Sequence, residues 1–173
     1  YELLLLDSPI ISHLIQKIEG DNSGLTFVRV DSDHIDNLIK KDENTISKLS
    51  DEEKETLKTS LEAYIPKAYS VQLEAMDSQA APFIITQPEF MRRMKEMSQT
   101  GGGGMFGMGN MPEMYNLVVN TNSDLASSIL NTEDKTHQEH LVKQALDLAK
   151  LSQNLLKGEA LTAFVKRSFE MIK

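Results

Sequence analysis

The chain has 173 residues, 40% of them hydrophobic and 25% charged, with a formal net charge of −8. That is enough apolar content for a packed core, and no apolar run approaches the roughly 20 residues of a membrane span. The acidic balance disfavours nucleic acid and anionic membrane as partners. The lack of cysteine removes disulfides and thiolate metal sites, and fits a cytoplasmic protein.

Tyr1–Leu6 is an apolar run of strand length, closed by Asp7-Ser8-Pro9. The opening on Tyr1 carries no secretion-signal pattern and reads as the start of an excised piece. Ser8-Pro9 is a helix start, because proline at the first helical position gives up an N–H that had no partner. Ile10, Ile11, Leu14, Ile15 and Ile18 follow at helical spacing, and Gly20 closes the element. Leu25–Val30 alternates with β-branched residues and is predicted to be a strand. Strand, helix, strand is the tail of an α/β unit.

Asp31–Glu55 holds nine acidic residues and four lysines, and reads as a solvated linker and helix face. Ser50 with Glu53 forms a capping box, so a helix starts at Asp51. Leu57, Leu61 and Tyr64 form its apolar stripe and Pro66 stops it. A domain boundary falls near Ser47–Ser50, giving units 1–48 and 49–173. Tyr69–Met76, with Val71, Leu73 and Ala75 alternating against Gln72 and Glu74, is a half-buried strand. Pro82–Thr86 is a second strand. Pro88 opens a helix to about Ser98. Tyr115–Asn120 is a third strand, and Ser123 or Asn122 caps a short helix through Leu130. The longest helix runs from about Thr136 to Leu156 and is broken by Gly158. Glu159–Ile172 is the last.

Seven of the nine methionines lie between Met91 and Met114. Met91, Met94 and Met97 repeat every three residues; so do Met105, Met108, Met111 and Met114, after a run of four glycines. Methionine is flexible and polarizable and is over-used on surfaces that accept many partners. Phe90, Met94 and Met97 share one stripe of the Pro88–Ser98 helix, with Met91 beside it. Such a helix packs on its own sheet or presents its methionines to a partner. The later methionines could alternatively offer thioethers to Cu(I), but no cysteine or histidine supports them. His137 and His140 lie three apart among carboxylates without a third or fourth convergent ligand, and read as solvated. The glycine tract lacks the Lys-Ser/Thr ending of a phosphate loop. No catalytic constellation stands out, and no metal or cofactor site is expected.

The last two helices carry Leu141, Val142, Ala145, Leu148, Leu155, Leu161, Phe164, Val165, Phe169 and Ile172. The longer is apolar around well over half its circumference, which calls for burial on more than one side. A small sheet cannot cover both helices; a second copy of the chain could.

The order YELLLLDSPI, PFIIT, PEFMRRMKEM, YNLVVNTNSDL and FVKRSFEMI resembles the C-terminal part of the heat shock protein 90 chaperone family, bacterial HtpG type. The resemblance covers essentially the whole chain and rests on order and spacing rather than on one specific motif. Where the family commonly has an acidic residue, an Asn-Pro and a His, this chain keeps Asn120 but has Val118, Thr121 and Ser123. The resemblance implies an α+β fold: the end of an α/β middle domain, then a three-stranded sheet with helices. It also implies a C-terminal helical hairpin that pairs into a four-helix-bundle homodimer. It implies that client protein binds through Phe90, Met91, Met94 and Met97, with Met105 and Met108 of the loop added. ATP and magnesium belong to an N-terminal domain outside this chain, so the chain itself is expected to be no enzyme. The end at Met171-Ile172-Lys173 lacks the acidic tail by which eukaryotic members dock cochaperones.

Overall fold

The computed structural model describes residues 3–6, 8, 11–29, 45–88, 91 and 114–172. The chain divides into two compact units, one from Tyr1–Ile39 and Gln87–Met114, the other from Lys40–Thr86 and Tyr115–Lys173. Among the described residues there are five helices and one three-stranded sheet, an α+β fold.

In the first unit, α1 spans Ile11–Asp21. Its first described residue, Ile11, donates its N–H to the Ser8 carbonyl at 3.1 Å, and Pro9, expected at the first helical position, lies outside the described residues. The helix runs through Gly20 and ends one residue later. The chain then turns through Asn22–Leu25, with Leu25 N–H on the Asn22 carbonyl at 3.1 Å. Gly24 sits at φ +99 in that turn, a conformation side-chain-bearing residues rarely adopt. Phe27 N–H donates to Glu19 Oε1 at 2.8 Å, folding the following segment onto the helix. The two predicted strands are corrected here. Leu3–Leu6 and residues 25–29 belong to no sheet among the described residues, and Leu3–Leu6 are exposed. Alternation favours an extended backbone, but a strand also needs a neighbour to take its N–H and C=O groups.

In the second unit, α2 (Asp51–Glu62) begins on the predicted capping box. Ser50 Oγ accepts from Glu53 N–H at 3.3 Å, and Glu53 Oε2 accepts from Ser50 N–H at 2.7 Å. The Ser50 backbone N–H, and after it the Ser50 hydroxyl, favour the charged Glu53 carboxylate and hold its pKa below its usual range. Leu57 and Leu61, one helical turn apart, are fully buried. β1 (Tyr69–Glu74), β2 (Phe83–Thr86) and β3 (Tyr115–Asn120) form a mixed sheet in the order β1-β3-β2. β3 runs parallel to β1 and antiparallel to β2, with Val71 opposite Leu117 and Ile85 opposite Leu117. A central strand loses solvent on both edges, and the run Leu117, Val118, Val119 is fully buried.

α3 (Asp124–Asn131) is capped by Ser123, whose Oγ accepts from Ala126 N–H at 3.2 Å. α4 (Lys135–Ser152) is capped by Asp134 through Thr136 N–H at 2.9 Å. The core gathers Leu57 and Leu61 of α2, Val71, Phe83, Ile85, Leu117 and Val119 of the sheet, Ala126 and Ile129 of α3, and Val142, Ala145, Leu146 and Ala149 of α4. Buried Gln138 ties α4 to α3, its Nε2 donating to the Ile129 carbonyl at 2.8 Å.

The last two helices differ from expectation at their junction. α4 ends at Ser152, short of Leu155 and Leu156. Asn154 adopts φ +56, a left-handed turn that asparagine tolerates better than most residues. Leu155 N–H then donates back to the Lys150 carbonyl at 2.8 Å. Gly158 opens the final helix, α5 (Gly158–Ile172), at φ +59 rather than breaking the one before.

Candidate functional site

The helical arm at the end of the chain stands apart from the rest of the second unit. α5 has 15 residues and buries one of them, Phe164. Along it Val165, Phe169, Met171 and Ile172 are exposed, Phe169 at 65% and Ile172 at 81%. Leu148 and Leu151 of α4 and Leu155 of the turn are exposed too. Residues 161, 164, 165, 169 and 172 recur at the three- and four-residue spacings that share a helix face. A helix patterned this way buries its stripe against something, and within the described chain only Phe164 has been covered.

The residues expected at a dimer interface therefore fall into two groups. Val142 and Ala145 sit in the chain's own core, because α4 lies over the sheet. Leu141 is half-buried against that core, Leu161 is half-buried, and Phe164 is buried. Leu148, Leu155, Val165, Phe169 and Ile172 are exposed. Of the methionine set, Met91 is helical and half-buried. Phe90, Met94, Met97, Met105 and Met108 lie outside the described residues, as do the glycine tract and nearly all of the Pro88–Ser98 helix.

The arm is joined to α4 by polar contacts. Arg167 Nη2 donates to Asp147 Oδ2 at 2.6 Å and its Nε donates to Gln144 Oε1 at 2.8 Å. Gln144 Nε2 donates to Ser168 Oγ at 2.8 Å, and Ser168 Oγ donates to the Phe164 carbonyl at 2.8 Å. Asp147 Oδ1 takes Lys150 Nζ at 3.2 Å. On the outer side an open groove is lined by His140, Lys166, Arg167 and Glu170.

A second polar cluster closes the far end of the sheet. Asn120, Thr121, Asn122 and Ser123 are all buried. Asn120 Oδ1 accepts from Met76 N–H at 3.2 Å and its Nδ2 donates to the Asp77 carbonyl at 2.7 Å. Asn122 Nδ2 donates to the Ile46 and Met76 carbonyls, both at 3.0 Å, and its Oδ1 accepts from Lys48 N–H at 2.7 Å. Thr121 Oγ1 meets Ser47 Oγ at 3.0 Å. Residues 46–48, just ahead of α2, are thus bound to the β3–α3 turn. Sequence reasoning passed over both clusters. The signal for this one was a polar last strand residue, Asn120, followed directly by three more polar residues.

His137 and His140 are exposed, and among the described residues no three His, Asp or Glu side chains are grouped to hold a metal. No described helix is long and apolar enough to cross a membrane.

No protein-family model matches the chain. The curated proteins that match it are molecular chaperones. The chaperone protein HtpG of Porphyromonas gingivalis is 38% identical over 155 residues, covering 87% of this chain and 22% of the relative. Those of Bacteroides thetaiotaomicron and Bacteroides fragilis are 30% and 29% identical over 240 residues, covering 99% of this chain and 35% of each relative. The chain belongs with the HtpG type of the heat shock protein 90 family. It spans about a fifth to a third of the length of these relatives. The matched stretch in the Bacteroides proteins is longer than this chain, 240 residues against 173.

Proposed function

We propose that this chain is the self-association and client-binding segment of an HtpG-type chaperone. The observation that carries the reading is α5: 15 residues of amphipathic helix with only Phe164 buried in the chain. Burying a Leu, Ile or Phe side chain is worth roughly 1.5–3 kcal/mol. The exposed set on α4 and α5 therefore gains most from a self-complementary partner. Two copies of the α4–α5 hairpin about a twofold axis would make a four-helix bundle. Association first costs an estimated 4–15 kcal/mol of rigid-body freedom, which several such anchors exceed.

Client protein is assigned to the methionine helix and loop, Phe90, Met91, Met94, Met97, Met105 and Met108, on the adaptable chemistry of methionine. Nucleotide hydrolysis, with ATP and magnesium, is assigned to a part of the family's proteins outside this chain. Metal handling by the methionines is not favoured by the chaperone relatives. The test is suppression of aggregation of an unfolded client by the full-length protein. Replacing Met91, Met94 and Met97 by Ser is expected to weaken suppression and leave thermal unfolding nearly unchanged. A loss of several kcal/mol of stability, as large-to-small core changes cause, would make these residues core and end the client reading.

A further inference from the structure

We propose that Asp147 is the positioning residue of the association surface: with Arg167 it fixes the angle at which α5 leaves the folded unit. The proposal rests on reading α5 as the self-association helix.

Phe164 alone cannot set that angle. Apolar burial is non-directional, so one buried ring fixes a point on the helix but not its tilt about that point. Hydrogen bonds are directional, and the planar arginine fork transmits geometry that a lysine ammonium does not. Arg167 directs Nη2 to Asp147 at 2.6 Å and Nε to Gln144 at 2.8 Å, so two donors of one rigid group reach two α4 residues a turn apart. Its guanidinium also lies 6.0 Å from the centre of the Phe164 ring, joining the polar and apolar contacts of the arm. The side chains of Arg167 and Asp147 are 20% and 16% exposed, which shelters the pair from solvent more than an ordinary surface ion pair.

Asp147 also reaches the sheet. Its other oxygen holds Lys150, whose ammonium lies 5.8 Å from the Tyr69 ring, and Tyr69 stacks on Tyr115 at 5.4 Å. Tyr69 and Tyr115 are paired first residues of β1 and β3. The carboxylate thus links the arm, through Lys150, to the start of the central strand. From Phe164 to Ile172 the helix rises about 12 Å, so a tilt of about 20° displaces its tip by about 4 Å. Interfaces packed as closely as protein interiors do not tolerate such a shift, and a twofold axis applies it twice.

The experiment uses Asp147→Asn, which keeps shape and removes charge, and Arg167→Lys, which keeps charge and removes the fork. Sedimentation equilibrium of each is expected to give dimerisation weakened about tenfold or more, with far-UV circular dichroism unchanged. The exchange of Asp147→Arg with Arg167→Asp should recover part of the affinity. Because the chain has no cysteine, spin labels at Glu62→Cys and Lys166→Cys report the tilt of α5 against α2 without interference. In a Phe169→Glu background, which removes the partner, the distance should be narrow with Asp147 present and broad with Asn. If the wild-type chain dimerises and both single variants dimerise equally well, or the distance stays narrow in Asp147→Asn, the positioning role is wrong. A wild-type chain that never dimerises overturns the association reading itself, and with it this proposal.

Discussion

The sheet core and the α5 arm are written in the same amino acids, yet they meet different fates. Leu57, Leu117, Val119 and Ile129 are sealed inside one copy of the chain, each with neighbours from several elements. Phe169 and Ile172 follow an equally regular apolar pattern and stand in solvent. Periodicity states that a face wants to be buried; it does not state whose atoms will bury it. α4 shows both outcomes along one helix. Val142, Ala145 and Ala149 turn to the sheet, while Leu148 and Leu151 remain uncovered.

The contrast breaks most directly at Phe169. Phe169→Glu puts a charge on each side of a twofold interface, and stranding an unpaired buried ion costs several kcal/mol. Association is expected to be lost at micromolar concentration in sedimentation, while circular dichroism stays that of the folded chain. Phe164→Glu is the weaker test, because Phe164 is already buried within one copy and its loss confounds folding with association.

At the other pole, Leu117→Ala should cost about 2–5 kcal/mol in urea unfolding, the range for a fully buried leucine. Measured on the Phe169→Glu background, the cost is free of the concentration dependence that association adds. If Leu117→Ala is mild while Val165→Ala, at an exposed position of the arm, is severe in that background, core and arm have been assigned the wrong way round.

The Asn122 cluster sharpens the comparison, since it shows polar groups sealed as fully as the leucines. Asn122→Ala strands the Lys48 N–H and the Ile46 and Met76 carbonyls. The expected cost is about 1–3 kcal/mol, and amide exchange should quicken at Lys48.

The smallest effect is at the α2 cap. The Glu53 pKa is lowered by its hydrogen bonds with Ser50. A carboxylate with a depressed folded-state pKa contributes stability above its unfolded pKa and loses it as pH falls through the folded one. Stability should therefore drop slightly below about pH 4.5, the unperturbed value. Glu53→Ala should flatten that part of the acid limb; an unchanged limb would mean that the cap does not matter.

What the sequence conveys follows the range of the interactions concerned. The capping box at Ser50 and Glu53, the third strand at Tyr115–Asn120 and the Ser123 cap are local, and the structure bears them out. The expected strands fail at Leu3–Leu6 and at residues 25–29 because strand formation is decided by a partner elsewhere in the chain. The mixed order β1-β3-β2 and the Asn122 contacts to residues 46–48 and 76 join positions far apart in sequence, and no local pattern encodes them. Arg167 and Asp147 lie 20 residues apart on adjoining helices, so that pair was findable only once the hairpin had been assumed.

The mass of the chain in solution tests the central claim most directly. Sedimentation equilibrium from low to high micromolar concentration should give about twice 19.4 kDa for the wild-type chain and 19.4 kDa for Phe169→Glu. A wild-type chain that remains at 19.4 kDa throughout would contradict the account.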